Sequence, residues 1–155
     1  MIGSKPLAYN ERRASDAALD GLFGGLAGGA VMALYLVIWG MVAGQRPGAI
    51  LGMFDPNEHG AALAGALTHL AVAAVYGILF GLVWWALRRV PRLSVPAWFA
   101  GAIYGLALLA VAKSVVLPAA GSSLAEIPTL HFAIAHVIYG AALGYLSELI
   151  GARPA

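Results

Sequence analysis

Four long apolar stretches, at about residues 18–42, 61–87, 97–117 and 130–150, leave this chain little choice of architecture, because each carries at most one Asp, Glu, Lys or Arg. Each reaches the ~20 residues needed to cross ~30 Å of hydrocarbon. A spanning backbone must satisfy its own hydrogen bonds, so only helices and closed barrels are stable in lipid. Barrels require alternating segments of about ten residues, and these runs do not alternate. The expected fold is all-α: a polytopic membrane protein with four transmembrane helices in a compact bundle. Composition agrees, since 61% of the residues are hydrophobic and 10% charged, with a mean hydropathy of +0.85. Water-soluble domains carry roughly a quarter charged residues.

Turn chemistry marks the block boundaries. Asp55-Pro56-Asn57 precedes the second block, Ser94-Val95-Pro96 the third and Pro128-Thr129 the fourth, while Pro118 is expected to close the third. The chain thus divides into an N-terminal arm (1–17), a transmembrane domain (18–150) and a short tail (151–155). Within the arm, Ser15 is a candidate cap for an interfacial lead-in, with a disordered tail as the alternative. The apolar run that follows is too long for a signal-peptide core and is expected to remain as the first span.

Basic residues suggest an orientation. Lys5, Arg12 and Arg13 lie in the arm, Arg88, Arg89 and Arg92 between the second and third blocks, and Arg153 in the tail. The other two connections hold only Arg46, with Lys113 near the end of the third block. Both termini are therefore expected in the cytoplasm, with the span ends at Trp84, Trp85 and Trp98 at the inner interface and Trp39 at the outer one. A bacterial inner membrane fits this arrangement. Topology accounts for the net charge of +2, which gives no reason to invoke nucleic acid.

No cysteine occurs, which excludes disulfides and thiolate metal sites. Phosphate-binding loops, the His-Glu-x-x-His zinc motif and recognisable nucleophile-base patterns are missing, so no catalytic activity of the chain's own is expected. Both outer connections are too short for a folded domain, although Leu51-Gly-Met-Phe-Asp-Pro56 has the composition of a segment that dips into the interface.

Glycine spacing is the second strong pattern. Small residues recur every fourth position at Gly21, Gly25, Gly29 and Ala33; at Gly65, Ala73, Gly77 and Gly81; at Ala97, Gly101 and Gly105; and at Gly140 and Gly144. Such ridges let helix backbones approach closely, which in lipid takes the place of the hydrophobic effect in driving association. The expected helix-packing positions are Gly25, Gly29, Gly77, Gly81, Gly101, Gly105, Gly140 and Gly144. They serve either this bundle or the helices of another protein. Phe23–Ala30 can be laid on residues 99–106, and Tyr-Gly-x-x-x-Gly occurs at both 76–81 and 139–144. Two helical hairpins of one orientation, a parallel repeat, are a possible origin.

His69 and His136 interrupt these ridges, at expected depths of about 12 and 9 Å from the outer side for a 1.5 Å rise per residue. An ionisable group within a span is a functional candidate by default. The pair suits haem b iron or, singly, a chlorophyll-type magnesium, with room left by Ala73, Gly77 and Gly140. His136 with Tyr139 suits a quinone carbonyl. A metal site would draw on His59, His69, His131 and His136 with Glu58 or Glu126, although the spacing of His131 and His136 is poor for shared ligation. The structural alternative is that each histidine donates a hydrogen bond to the next helix and binds nothing. Tyr35, Tyr76 and Tyr104 suggest the same use. Lys113 is expected to snorkel to the headgroups, or to pair with Glu126 at the mouth of the bundle.

With its four spans, repeated Tyr-Gly-x-x-x-Gly and intramembrane histidines, the chain resembles small four-helix inner-membrane proteins of bacteria, a resemblance that carries no activity with it. In build, with short loops and glycine ridges, it is similar to the accessory subunits of respiratory and photosynthetic complexes. That likeness implies a non-catalytic transmembrane subunit that stabilises a larger membrane complex, most plausibly an electron-transfer one. Its contacts would be other transmembrane subunits, through the glycine ridges and the N-terminal arm, and lipids. A subunit holding haem, pigment or quinone through His69, His136 and Tyr139 is the alternative. A small solute or lipid permease ranks third, because a path of polar residues through the bundle is not evident.

Overall fold

The computed structural model describes residues 13–57, 59–90 and 95–152, and these are helical almost throughout. Four helices are long and apolar enough to cross a membrane. The first is α1 (Ala14–Val42), followed by a short α2 (Pro47–Gly52) and then α3 (Ala62–Leu87). The third span begins as α4 (Ala97–Val111), widens into a π turn (Ala112–Val116) and finishes as α5 (Leu117–Ala120). A 3-10 turn (Ser123–Glu126) leads into α6 (Thr129–Gly151). Expectations that rest on Lys5, Arg12, Glu58, Arg92, Ser94 and Arg153 fall outside the described residues.

Two boundaries differ from expectation. Helix α1 starts at Ala14, with Arg13 as its cap residue, so Ser15 lies inside the first turn and caps nothing. Asp16 accepts the Arg13 backbone N–H at 3.0 Å, which satisfies a donor and places negative charge at the positive helix end. Pro118 does not close the third span. It occupies the first turn of α5, and the π turn just before it shifts the hydrogen-bond pattern where the proline lacks an N–H, so the helix continues. Gly121 ends the helix instead, at φ +62°, a left-handed conformation that glycine adopts without strain.

Packing is built on absent side chains. Helix α1 runs antiparallel to α3, and a methyl group added at Gly21 would collide with the Gly77 carbonyl, one at Gly77 with the Gly21 carbonyl, and one at Gly81 with the Ala17 carbonyl. At Gly25 the added carbon would come within 2.8 Å of the Gly77 Cα. The α4–α6 pair repeats this geometry: Gly101 and Gly140 face each other's carbonyls, Gly105 faces that of His136, and Gly144 that of Ala97. Backbones this close exchange weak Cα–H···O contacts as well as dispersion. A second face of α1, formed by Gly24 and Gly28, packs on α6 against Ser147, Leu143 and Tyr139. Helices α1 and α6 therefore form the middle of the molecule, α3 flanks α1, and α4 flanks α6.

Helices α3 and α4 scarcely approach each other, and aromatic side chains fill the space between them. Phe80 packs against Tyr104 with ring centroids 5.3 Å apart and stacks on Trp84 at 6.2 Å. The buried set otherwise includes Leu36, Ile50, Phe132 and Leu143, while Phe23, Leu34, Leu67, Val75, Ile103 and Leu130 point outward. Small residues inside and large apolar ones outside suit a hydrocarbon solvent.

Candidate functional site

All four described histidines lie toward the end of the bundle away from the chain termini, here called the distal end. Helix α2 covers part of that end. Ile50 fills the space over Gly40 of α1, and the Leu51 carbonyl abuts Gly65 of α3, so the segment expected to dip does pack onto the bundle. Asp55 ties this segment down by accepting the backbone N–H groups of Asn57 and Ala61, both at 3.1 Å. Those bonds from Asn57 and Ala61 hold its carboxyl below the ordinary aspartate value, because they stabilise the ionised form.

Phe54, which follows α2, reaches the His69 ring, with centroids 4.5 Å apart. His69 Nε2 donates to the Gly29 carbonyl of α1 at 2.9 Å. Gly29 is hemmed in on the same side, since an added methyl would lie 2.6 Å from the Ala73 Cβ. His136 makes a different bond: its Nδ1 donates to the Phe132 carbonyl of its own helix at 2.8 Å, with the ring set edge-on to Phe132. The Tyr139 hydroxyl donates to the Ala73 carbonyl of α3 at 2.7 Å. That bond lies about one turn from each histidine and brings His69 and His136 to one level of the bundle.

The three residues suggested for a cofactor are thus brought together, but the room suggested for it is taken. Ala73, Gly77 and Gly140 lie against the backbones of α1 and α4, so their small size admits neighbouring helices and not a macrocycle. A quinone carbonyl would need a donor, and the Tyr139 proton already goes to Ala73. Among the described residues no three His, Asp or Glu side chains converge in a metal-binding group.

Further polar bonds cross between helices. Tyr104 donates to the Tyr76 carbonyl at 2.9 Å, joining α4 to α3. Ser147 donates to the Asp20 carbonyl at 3.3 Å, joining α6 to α1. The Tyr35 hydroxyl lies 3.0 Å from His131 Nδ1, and the His131 ring stacks on Trp39 at 4.8 Å. Sequence reasoning did not single out Ser147, and it named Tyr35, His131 and Trp39 in three separate roles without grouping them.

Lys113 lies in the π turn and is half-buried, with its ammonium 3.5 Å from both the Ala125 and Ile127 carbonyls and 5.5 Å from the Phe132 ring centroid. It and Glu126 line a shared cavity of about 570 Å³. At the opposite end of the bundle Arg89 lies over the Trp85 ring at 3.3 Å, and Arg88 reaches Glu148 at 3.6 Å. No known family model matches the chain, and neither a curated protein nor a solved structure shows significant similarity to it.

Proposed function

We propose that this chain is a non-catalytic transmembrane accessory subunit that packs against and stabilises a larger membrane complex, with an electron-transfer complex as the partner class its build favours. One observation carries the reading: His69, Tyr104, Tyr139 and Ser147 each commit a polar atom to a backbone carbonyl of a neighbouring helix. Polar groups used this way join helices and leave little chemistry free. The partner surface differs from the one the sequence suggested, because the eight ridge glycines are already in contact with helices of this chain. The least covered span is the third, with 17% of an 18-residue apolar stretch buried against 33–39% in the other three. A partner helix docks on the outer face of α4, near Phe99 and Ile103. Mild detergent extraction followed by native gel electrophoresis and mass spectrometry tests this: migration in a hetero-oligomer supports it, and migration of the chain alone contradicts it.

The matching contacts of the two hairpins support a repeat in which Ala17, Gly21 and Gly25 correspond to Ala97, Gly101 and Gly105, one turn away from the alignment at Phe23 and Phe99. Arg88, Arg89, Trp84 and Trp85 cluster at the end that holds the chain termini, which supports an arrangement with both termini in the cytoplasm of a bacterial cell.

A second reading, a haem-, pigment- or quinone-binding subunit, draws on the common level of His69 and His136. Their bonds to carbonyls leave His69 Nδ1 and His136 Nε2 as the ligating atoms. Visible absorption of the purified protein that disappears in both His69→Ala and His136→Ala would favour a haem or pigment over the packing role.

A further inference from the structure

The cavity at the distal end of the third span has the makings of a ligand site independent of any partner complex. Lys113 of the π turn (Ala112–Val116) lines one side with Leu117 and Pro118 of α5, and the 3-10 turn lines the other. Single π turns inside α-helices recur at functional sites because the extra residue redirects the side chains around it. Here the redirected segment carries Lys113, the only lysine of the transmembrane domain.

An ammonium group has three donors and no acceptor. Among the described residues the half-buried Lys113 ammonium meets two neutral carbonyls, at 3.5 Å each, and the Phe132 ring face at 5.5 Å, and no carboxylate pairs with it. It lines the cavity together with Ser122, Ser123 and Glu126. The Ser122 hydroxyl accepts the Leu124 N–H at 3.3 Å and keeps its own proton to donate. One side of the cavity therefore offers positive charge and a hydroxyl donor, and the Glu126 carboxylate offers negative charge to the same space.

Depth adds a constraint. Lys113 precedes Ala120, the last helical residue, by seven positions, which at 1.5 Å each places it about 10 Å below the end of the helix. Beside it Val111, Val115 and Val116 are exposed, an apolar surface suited to hydrocarbon. A ligand of this cavity must therefore present an anion, and next to it a cation, at the boundary between headgroup and hydrocarbon, with apolar chains that run down α4.

We propose that the cavity binds a zwitterionic phospholipid of the ethanolamine type, its phosphodiester on Lys113 and Ser122, its ammonium on Glu126, and its acyl chains along Val111 and Val115. The same phosphodiester headgroup occurs in soluble glycerophosphoethanolamine, which lacks the chains. Native mass spectrometry of the full chain separates the two, with dioleoyl phosphatidylethanolamine, dioleoyl phosphatidylglycerol, dioleoylglycerol and glycerophosphoethanolamine offered in detergent. The wild type is expected to retain phosphatidylethanolamine in preference to the other three. Lys113→Gln is expected to retain about tenfold less, the scale of one charge-assisted hydrogen bond, while Lys113→Arg keeps binding. Glu126→Gln should bind the ethanolamine and glycerol headgroups equally. Wild-type protein that holds dioleoylglycerol as tightly as phosphatidylethanolamine overturns the proposal without recourse to any variant. Displacement of the lipid by equimolar glycerophosphoethanolamine overturns the lipid assignment, as does unchanged retention by Lys113→Gln.

Discussion

At Gly140 a methyl group has nowhere to go, because the Gly101 carbonyl already occupies its place and the Gly105 nitrogen lies 3.0 Å away. Neither obstacle is a side chain that can swing aside. Gly140→Ala is therefore expected to cost about 1–3 kcal/mol through forced separation of α4 and α6. Gly48→Ala meets only the Ala62 Cβ at 3.7 Å and should change stability by less than about 0.5 kcal/mol. Reversible unfolding in mixed micelles, followed by circular dichroism, compares the two. His69→Ala removes one bond between α3 and α1 and should cost roughly 0.5–2 kcal/mol by the same assay. Asp55 makes a pH prediction. Its folded-state pKa is lowered by the Asn57 and Ala61 N–H groups, so its stabilisation is complete above the unfolded value near 3.8 and fades as pH falls through the lower folded value. Protection of the Asn57 and Ala61 amides, expressed relative to their intrinsic exchange rates at each pH, should fall in that acid range, and Asp55→Asn should abolish this fall.

Among the elements, the spans were legible because hydrophobic length alone specifies them, and the ridge at Gly21, Gly25 and Gly29 because a four-residue spacing keeps one face. The second face of α1 was not, since Gly24 and Gly28 stand next to ridge members and read as part of the same motif. Their neighbours across the bundle, Ser147 and Tyr139, are over a hundred residues away in sequence. The partners of the polar side chains were hidden for a different reason: His69 and Tyr139 were recognisable as unusual, but Gly29 and Ala73, 40 and 66 residues away, offer only carbonyls, which every residue has. Pro118 misled for a local reason. A proline ordinarily ends a helix, yet one π turn ahead of it lets the helix continue to Gly121. Gly121→Ala should then cost about 1 kcal/mol or more, from the left-handed backbone, while Pro118→Ala should cost little. Thermal unfolding of the two variants checks this contrast.

The whole molecule consists of two glycine-packed hairpins joined through α1 and α6, with polar bonds as cross-ties; under the proposed function the outer face of α4 receives a partner. The absence of native cysteine makes its orientation accessible to labelling. In intact cells Gly48→Cys should react with a membrane-impermeant maleimide and Ala152→Cys should not; the reverse pattern would invert the topology. The most direct test of the accessory-subunit claim is photocrosslinking in native membranes from a benzophenone side chain at Ile103, exposed on α4, with Leu67 on α3 as the comparison site. A discrete adduct with a different membrane protein is expected from Ile103 and none from Leu67. Adducts with lipid alone, or with a second copy of this chain, would contradict it.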